Sequence, residues 1–380
     1  MPLIGAVFTL YLVIGLAMPV LPLYVHNDLG FDTFIVGIVV GSQSLVAVVS
    51  RMGAGVFVDS RGVKLAVLLG LLVSALSGGF YLVAVFFAGK AVLSVVILTL
   101  GRFCLGVGEN LLITGSLCWG MTLMGPDRVG QVMAWMGTAI FGAIAVSTPL
   151  GNAVYMRYGF LGVAITATLL PLLALPLVAW LRSVAPPPHT KPPFMKVAGA
   201  VWGPGVGVAL SGVGFGAVTT FITLLFVNRG WGGLWIVLSV LSVSFMAGRL
   251  VLGHLPDKIG GARVAMGCIL VEILGQGAIW LAQGPALAVA GVALTGLGYS
   301  LIYPALGVEA LRRVPPEHRG LAMGSYTVFL DISMGLTGPV LGLAADRAGL
   351  GAIYFVGMLL AMGAAIVIFR LLQLSRSASQ

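Results

Sequence analysis

The chain has 380 residues, of which 59% are hydrophobic and only 8% charged, with a formal net charge of +9 and a mean hydropathy of +1.11. So few charges cannot cover a soluble domain, which argues against a soluble enzyme and against a nucleic-acid partner. The positive balance reads instead as basic loops on the cytoplasmic face of a membrane.

Uncharged stretches recur along the chain, each long enough to cross about 30 Å of hydrocarbon as a helix. They run too far, and alternate too little, for the strands of a closed barrel, the other structure that leaves no backbone group unpaired in lipid. In chain order the spans are 3–25, 33–57, 65–87, 91–124, 131–153 and 159–181, then 197–226, 232–254, 264–284, 286–311, 320–343 and 350–370. The first begins at Leu3 with no basic region or Ala-x-Ala site, so it reads as a permanent span rather than a cleaved signal. The fourth is unusually long, as an extended or tilted helix is. The prolines of RSVAPPPHTKPPF, 182–194, interrupt any helix and read as a connector. The expected organisation is an all-α membrane protein of twelve transmembrane helices. An N-terminal six-helix bundle spans 1–181, a cytoplasmic linker 182–196, a C-terminal six-helix bundle 197–370 and a tail 371–380.

Arg61, Lys64, Arg128, Arg182, Lys191, Lys196, Lys258, Arg263, Arg312, Arg313, Arg319, Arg370 and Arg376 fall on one side of these spans. Lys90, Arg157, Arg229 and Arg347 fall on the other. Basic loops mark the cytoplasm, so both termini are expected there. Cys104, Cys118 and Cys268 lie in apolar runs without metal spacing and read as small buried side chains. The four histidines are scattered, there is no Walker loop, and GVGFG at 212–216 has no strand-turn-helix context, so neither metal nor cofactor is expected.

An internal echo divides the chain at the same place. GVFVDSRGVK at 55–64 and GHLPDKIGGAR at 253–263 each follow the second span of a half and place Gly, Asp and Gly as G-x-x-x-D-x-x-G. Pro149 and Pro339 keep the offset of the runs that begin at Val129 and Arg319. Duplicated bundles are how many transporters build two sides around one substrate path. The loop of Gly55, Asp59, Gly62 and Lys64, with Arg61 one place from the usual basic position, resembles the signature between helices two and three of the major facilitator superfamily. Gly253, Asp257, Lys258, Gly260 and Arg263 resemble a weaker second copy, and Gly342, Asp346, Arg347 and Gly349 a partial third. The resemblance covers nearly the whole chain. It implies two pseudo-symmetric bundles around a central cavity, and a conformational latch at these loops; a turn that only anchors topology is the alternative. From the residues alone, Gly55 permits close helix approach and Gly62 a tight turn. Asp59 can pair with a basic partner or a helix N-terminus, and Arg61 and Lys64 can reach lipid phosphate or carboxylates.

In the fourth span, Arg102 and Glu109 share a helix face about 10 Å apart along the axis, with Gly106 between them. Charge at this depth is costly, so each must face protein, water or a counter-charge. The segment LGRFCLGVGEN resembles the fourth-helix signature of proton-linked exporters of the superfamily. That implies that Arg102 couples proton movement to transport; an ion pair that only fixes helices is the alternative. Glu109 is the expected proton carrier, unless it is permanently protonated or permanently paired. Asp331, mid-way along the eleventh span, either lines the path and holds substrate or a proton, or makes an inter-helix hydrogen bond. Glu272 and Gln276 lie on one face of the ninth span, a helix that the resemblance places among outer supports, and packing or a local hydrogen bond is expected. Glu309 reads as an interfacial ion pair beside Arg312 and Arg313. Tyr11, Gln43, Asn110, Thr219, Tyr299, Tyr303 and Tyr326 are polar positions in apolar spans and candidates for the substrate path, with ordinary packing as the alternative for each.

Thr148, Pro149 and Gly151 loosely resemble the fifth-helix signature of exporters, although Thr148 and Asn152 stand where glycines are expected. The expected function is proton-coupled efflux of a small organic molecule, a drug or metabolite, by alternating access. Protons and membrane lipids are the other partners, one chain suffices, and no enzymatic activity is expected. Import of a sugar or organic anion, with Arg102 serving substrate charge, is the alternative on the same architecture. A non-transporting sensor or scaffold is the alternative of another class.

Overall fold

The computed structural model describes residues 2–124, 129–181, 194–314 and 319–377. Of the expected linker over 182–196, residues 182–193 lie outside the described residues. The described residues contain helices and no strand, and the chain divides into two compact units, Met1–Thr190 and Lys191–Gln380.

The first unit begins with α1 (Pro2–Ala17) and the short α2 (Leu21–Leu23), which runs into a π-helical turn over Tyr24–Asp28. Helices α3 (Thr33–Arg61), α4 (Val63–Phe86), α5 (Ala91–Met124) and α6 (Val129–Ala179) follow. Asp32 starts α3 as an N-cap, its side chain accepting from the Ile35 amide at 2.9 Å. The fifth and sixth spans, expected as separate helices, are two helices within α6 that meet at Gly159, φ 63° and ψ −166°, with a single non-helical residue where a loop was expected. One glycine can take that backbone alone, so no loop is needed between the spans. Within the unit α4 packs along α5 and α6, α1 along α6, and α3 along α5.

The second unit consists of α7 (Phe194–Asn228), α8 (Leu234–Leu252), the short α9 (Leu255–Ile259), α10 (Gly261–Trp280), α11 (Pro285–Leu311), α12 (Arg319–Ala348) and α13 (Leu350–Ser377). Here α10 packs along α11 and α13, α7 along α12 and α13, and α8 along α11. Among the described residues ten helices are long and apolar enough to cross a membrane. One of them, Trp135–Ala179, holds the two spans joined at Gly159, and the shorter apolar helix Ile236–Leu252 supplies the eighth, which accounts for the twelve expected spans.

The repeated loops share one backbone device. Gly62, at φ 92° and ψ 154°, ends α3 and starts α4, and Gly260, at φ 94° and ψ 141°, does the same between α9 and α10. Side chains rarely adopt this region, so both positions call for glycine. The Asp59 and Asp257 side chains lie outside the described residues. Gly55 is not a close-approach position: a Cβ built there meets nothing within 4 Å. Lys64 has protein partners besides the lipid phosphate or carboxylates expected of it. Its Nζ donates to the carbonyls of Ala179 and Leu181 at 2.7 and 2.8 Å, where the unpaired carbonyls ending α6 attract a cation. Arg61, Gly253, Lys258 and Arg263 are exposed.

Replacing Gly62 with Ala should cost about 1–3 kcal/mol, the usual penalty of a side chain in a glycine-only conformation. Gly55→Ala should leave stability unchanged or slightly improved, since it removes helix-interior glycine without a clash. Thermal unfolding in detergent compares them, and equal melting temperatures for the two variants would contradict the assignment.

Candidate functional site

The seam between α3 and α5 is polar along much of its length, and one glycine lets it close. A Cβ on Gly106 would collide with the carbonyl oxygen of Gln43, so the two helices meet backbone to backbone at that height. Three residues further along α5, Glu109 faces the same seam. Its Oε2 accepts from Gln43 Nε2 at 2.7 Å, and its Oε1 accepts from the hydroxyl of Tyr11, on α1, at 2.6 Å. Asn110 turns to the next stretch of α3, where its Nδ2 donates to the Ala47 carbonyl at 2.6 Å and to Ser50 Oγ at 2.9 Å. At the other end of the seam Arg102 is 7% exposed, its Nη2 donating to the Val40 carbonyl at 3.1 Å while its buried Nε has no partner. No salt bridge joins Arg102 to Glu109 in this structure.

This geometry gives Glu109 a specific chemistry. Each carboxylate oxygen is held by a neutral donor from a different helix. A carboxylate accepts at both oxygens, whereas a protonated carboxyl group must donate from one of them. Tyr11 can reverse its hydroxyl and accept that proton's hydrogen bond; the amide nitrogen of Gln43 can only donate. A proton on Oε1 therefore turns the Tyr11 hydrogen bond round, while Oε2 still accepts from Gln43 as a neutral carbonyl oxygen.

In the C-terminal unit, Tyr299 is buried against Phe215, stacked at 4.6 Å between centroids, with Phe245 at 6.3 Å. Tyr303 shares a 2.6 Å hydrogen bond with Thr327, and Tyr326 donates to the Tyr303 carbonyl at 2.9 Å while its ring lies 5.1 Å from that of Tyr303. Helices α7, α8, α11 and α12 thus contribute to one aromatic cluster. Asp331, half-buried on α12, lies close enough for its charge to act on Tyr299. Thr219 stays outside the cluster, donating to the Gly216 carbonyl of its own helix at 3.1 Å. Glu309 does more than pair with Arg312 at 3.4 Å: the same oxygen accepts from the Ala262 amide at 3.1 Å and so caps the start of α10. A separate cavity of about 480 Å³ lies at the helix ends, lined by Asn228, Arg229, Trp280 and Phe355, away from all of these residues.

Arg249 was missed in the sequence. It stands on α8 with its guanidinium carbon 5.5 Å from the Phe245 ring centroid, beside Tyr299 and Tyr303. A signal was present, because Arg51 and Arg249 precede the two repeated loops at the same offset as Gly55 and Gly253 or Asp59 and Asp257.

Replacing Gly106 with Val should force α3 away from α5 and break the Gln43 contact, an overpacking cost of about 1–3 kcal/mol. The melting temperature should fall more than in Gly142→Val, where an added Cβ meets nothing. Equal losses at both sites would show that the close approach is not needed.

The model of the Major Facilitator Superfamily matches residues 3–338, with a second match over 236–379. The chain is 38% identical over 364 residues to an uncharacterized MFS-type transporter of Salmonella typhimurium, covering 96% of this chain and 94% of that one. It is 40% identical over 365 residues to the uncharacterized MFS-type transporter YhhS of Escherichia coli, covering 96% and 90%. The fold is similar to that of the nucleoside transporter NupG, with a TM-score of 0.76 and 15% identity over 97% of this chain and 98% of that one. It is also similar to a bacterial homolog of the human lysosomal transporter Spinster, with a TM-score of 0.78 and 14% identity over 98% and 96%. The chain therefore belongs to the Major Facilitator Superfamily and is a multi-pass membrane protein that carries out secondary transport of a small molecule.

Proposed function

We propose that this transporter exports a small organic molecule in exchange for protons across a bacterial inner membrane, with both termini in the cytoplasm. The observation that supports this reading is the Glu109 carboxyl group, placed along a membrane-crossing helix and bound at both oxygens by neutral donors from two other helices. Protonation at Oε1 reverses the Tyr11 hydrogen bond and leaves Gln43 donating to a neutral carbonyl oxygen in place of a carboxylate, so proton binding weakens one helix contact and turns another round. Uphill transport follows when proton and substrate differ in their affinities for the two end states of alternating access. Arg102 holds a buried positive charge about two turns away on the same helix and is the second member of the coupling pair. Asp331 is the second carboxyl group in this scheme, and Tyr299, Tyr303 and Tyr326 belong to the substrate side of the C-terminal unit. The loops carrying Asp59 and Asp257 bias the closed state.

Inverted vesicles carrying the purified protein, energised to an acidic interior, test the reading with a panel of drugs, sugars and organic acids. Compound-dependent proton release is expected from the wild-type protein and its loss from Glu109→Gln, which keeps the side-chain shape but cannot ionise. Undiminished release in that variant would overturn the role of Glu109. Compound binding without any proton release in the wild type would overturn antiport.

A further inference from the structure

Glu272 sits on α10 with no solvent exposure, and Gln276, one turn later, is equally enclosed. Three other helices close around the pair. From α7, Ser211 donates to Glu272 Oε2 at 2.6 Å, and the Gly214 carbonyl accepts from Gln276 Nε2 at 2.9 Å. From α11, Thr295 Oγ1 stands 3.3 Å from Gln276 Nε2 and donates to its own Gly291 carbonyl at 2.9 Å. On α13, a Cβ built at Gly357 would lie 2.7 Å from Gln276 Oε1. The remaining carboxyl oxygen, Glu272 Oε1, is buried without a partner, and a Cβ on Gly214 would lie 2.5 Å from it.

A carboxylate in this place would have one hydrogen bond for two oxygens and no cation. The titratable groups near enough to feel its charge are Cys268, one turn earlier on α10, and Tyr299 from α11. Helix α7 presents Ser211, and α13 carries the buried Tyr354 hydroxyl three residues before Gly357, itself without a partner. An ionised group so enclosed is strongly disfavoured, while a proton on the orphan oxygen removes the charge. A bound alkali ion fits less well. The Ser211 hydroxyl is turned to give its proton to Glu272 Oε2 and the Gln276 amide nitrogen is bound to the Gly214 carbonyl, an arrangement of donors that serves a carboxyl group rather than a cation.

We propose that Glu272 is a second proton site, in the C-terminal unit, held as a neutral carboxylic acid with its proton on Oε1 and its Oε2 carbonyl bound by Ser211. The site lies outside the Glu109 scheme and stands whether or not Glu109 carries the transported proton. Because Oε1 is enclosed by α7, its proton leaves only when α10 and α7 part. A conformational change that separates these helices would release a proton of its own.

Infrared difference spectroscopy of the full-length protein in nanodiscs at neutral pH tests this through the carbonyl stretch of protonated carboxyl groups. The wild type and Glu109→Gln should share a band that is absent in Glu272→Gln. Ser211→Ala should keep that band and move it to higher frequency, because the carbonyl loses its hydrogen bond; this variant carries the test if Glu272→Gln does not fold. Identical spectra for wild type and Glu272→Gln would show that Glu272 is not protonated there, and an unmoved band in Ser211→Ala would overturn the assignment of its carbonyl to Oε2 beside Ser211. A band abolished by added sodium at constant pH would overturn the proposal in favour of a cation site.

Discussion

A carboxyl group inside an apolar helix must be solvated by the protein, because hydrocarbon supplies neither water nor counter-ion. In the N-terminal unit this requirement draws α1, α3 and α5 together at one height, with Tyr11 and Gln43 reaching Glu109 from two directions. The contact depends on Gly106, since any side chain there would hold α3 away from α5. Arg102 and Asn110 extend the same seam by bonding to carbonyls of α3, so that the polar atoms of α5 face protein over two turns.

Elsewhere the helix ends serve as partners for charge. Lys64 meets the carbonyls that close α6, and Glu309 meets an amide that opens α10. Each places a charge where the helix macrodipole favours it. These contacts are internal to one unit. Among the described residues, Arg312 adds a charged side chain beside Glu309. The C-terminal unit carries its interior polarity differently, in tyrosines packed on phenylalanines and in the enclosed pair of Glu272 and Gln276.

The helices themselves were readable because each must supply an uninterrupted apolar stretch, and the two units could be anticipated from the proline-rich connector and the repeated glycine-aspartate loops. The expected roles of individual loop residues fared less evenly. Gly62 is required by its backbone, whereas a Cβ at Gly55 would meet nothing within 4 Å among the described residues and Lys64 donates to the end of α6. The same composition rule that predicts a span says nothing about which way a lysine at its end will bend. The join at Gly159 was hidden for a related reason: a single glycine can replace a loop, and glycine is common throughout the chain.

Tyr11, Gln43 and Glu109 were each legible as polar residues in apolar spans, but only separately. Their convergence joins positions far apart along the chain, and a single sequence carries no record of which helix faces reach one another. Likewise Glu272 was visible as an intramembrane acid, while its complete enclosure, its single donor and its orphan oxygen appear only once four helices are packed. Composition and periodicity determined the membrane class, the number of crossings and the inventory of costly polar groups, because these depend on the solvent each stretch must face. Tertiary structure decided which of those groups share hydrogen bonds and which remain alone, because that depends on helix contacts set by glycine-sized gaps between distant segments.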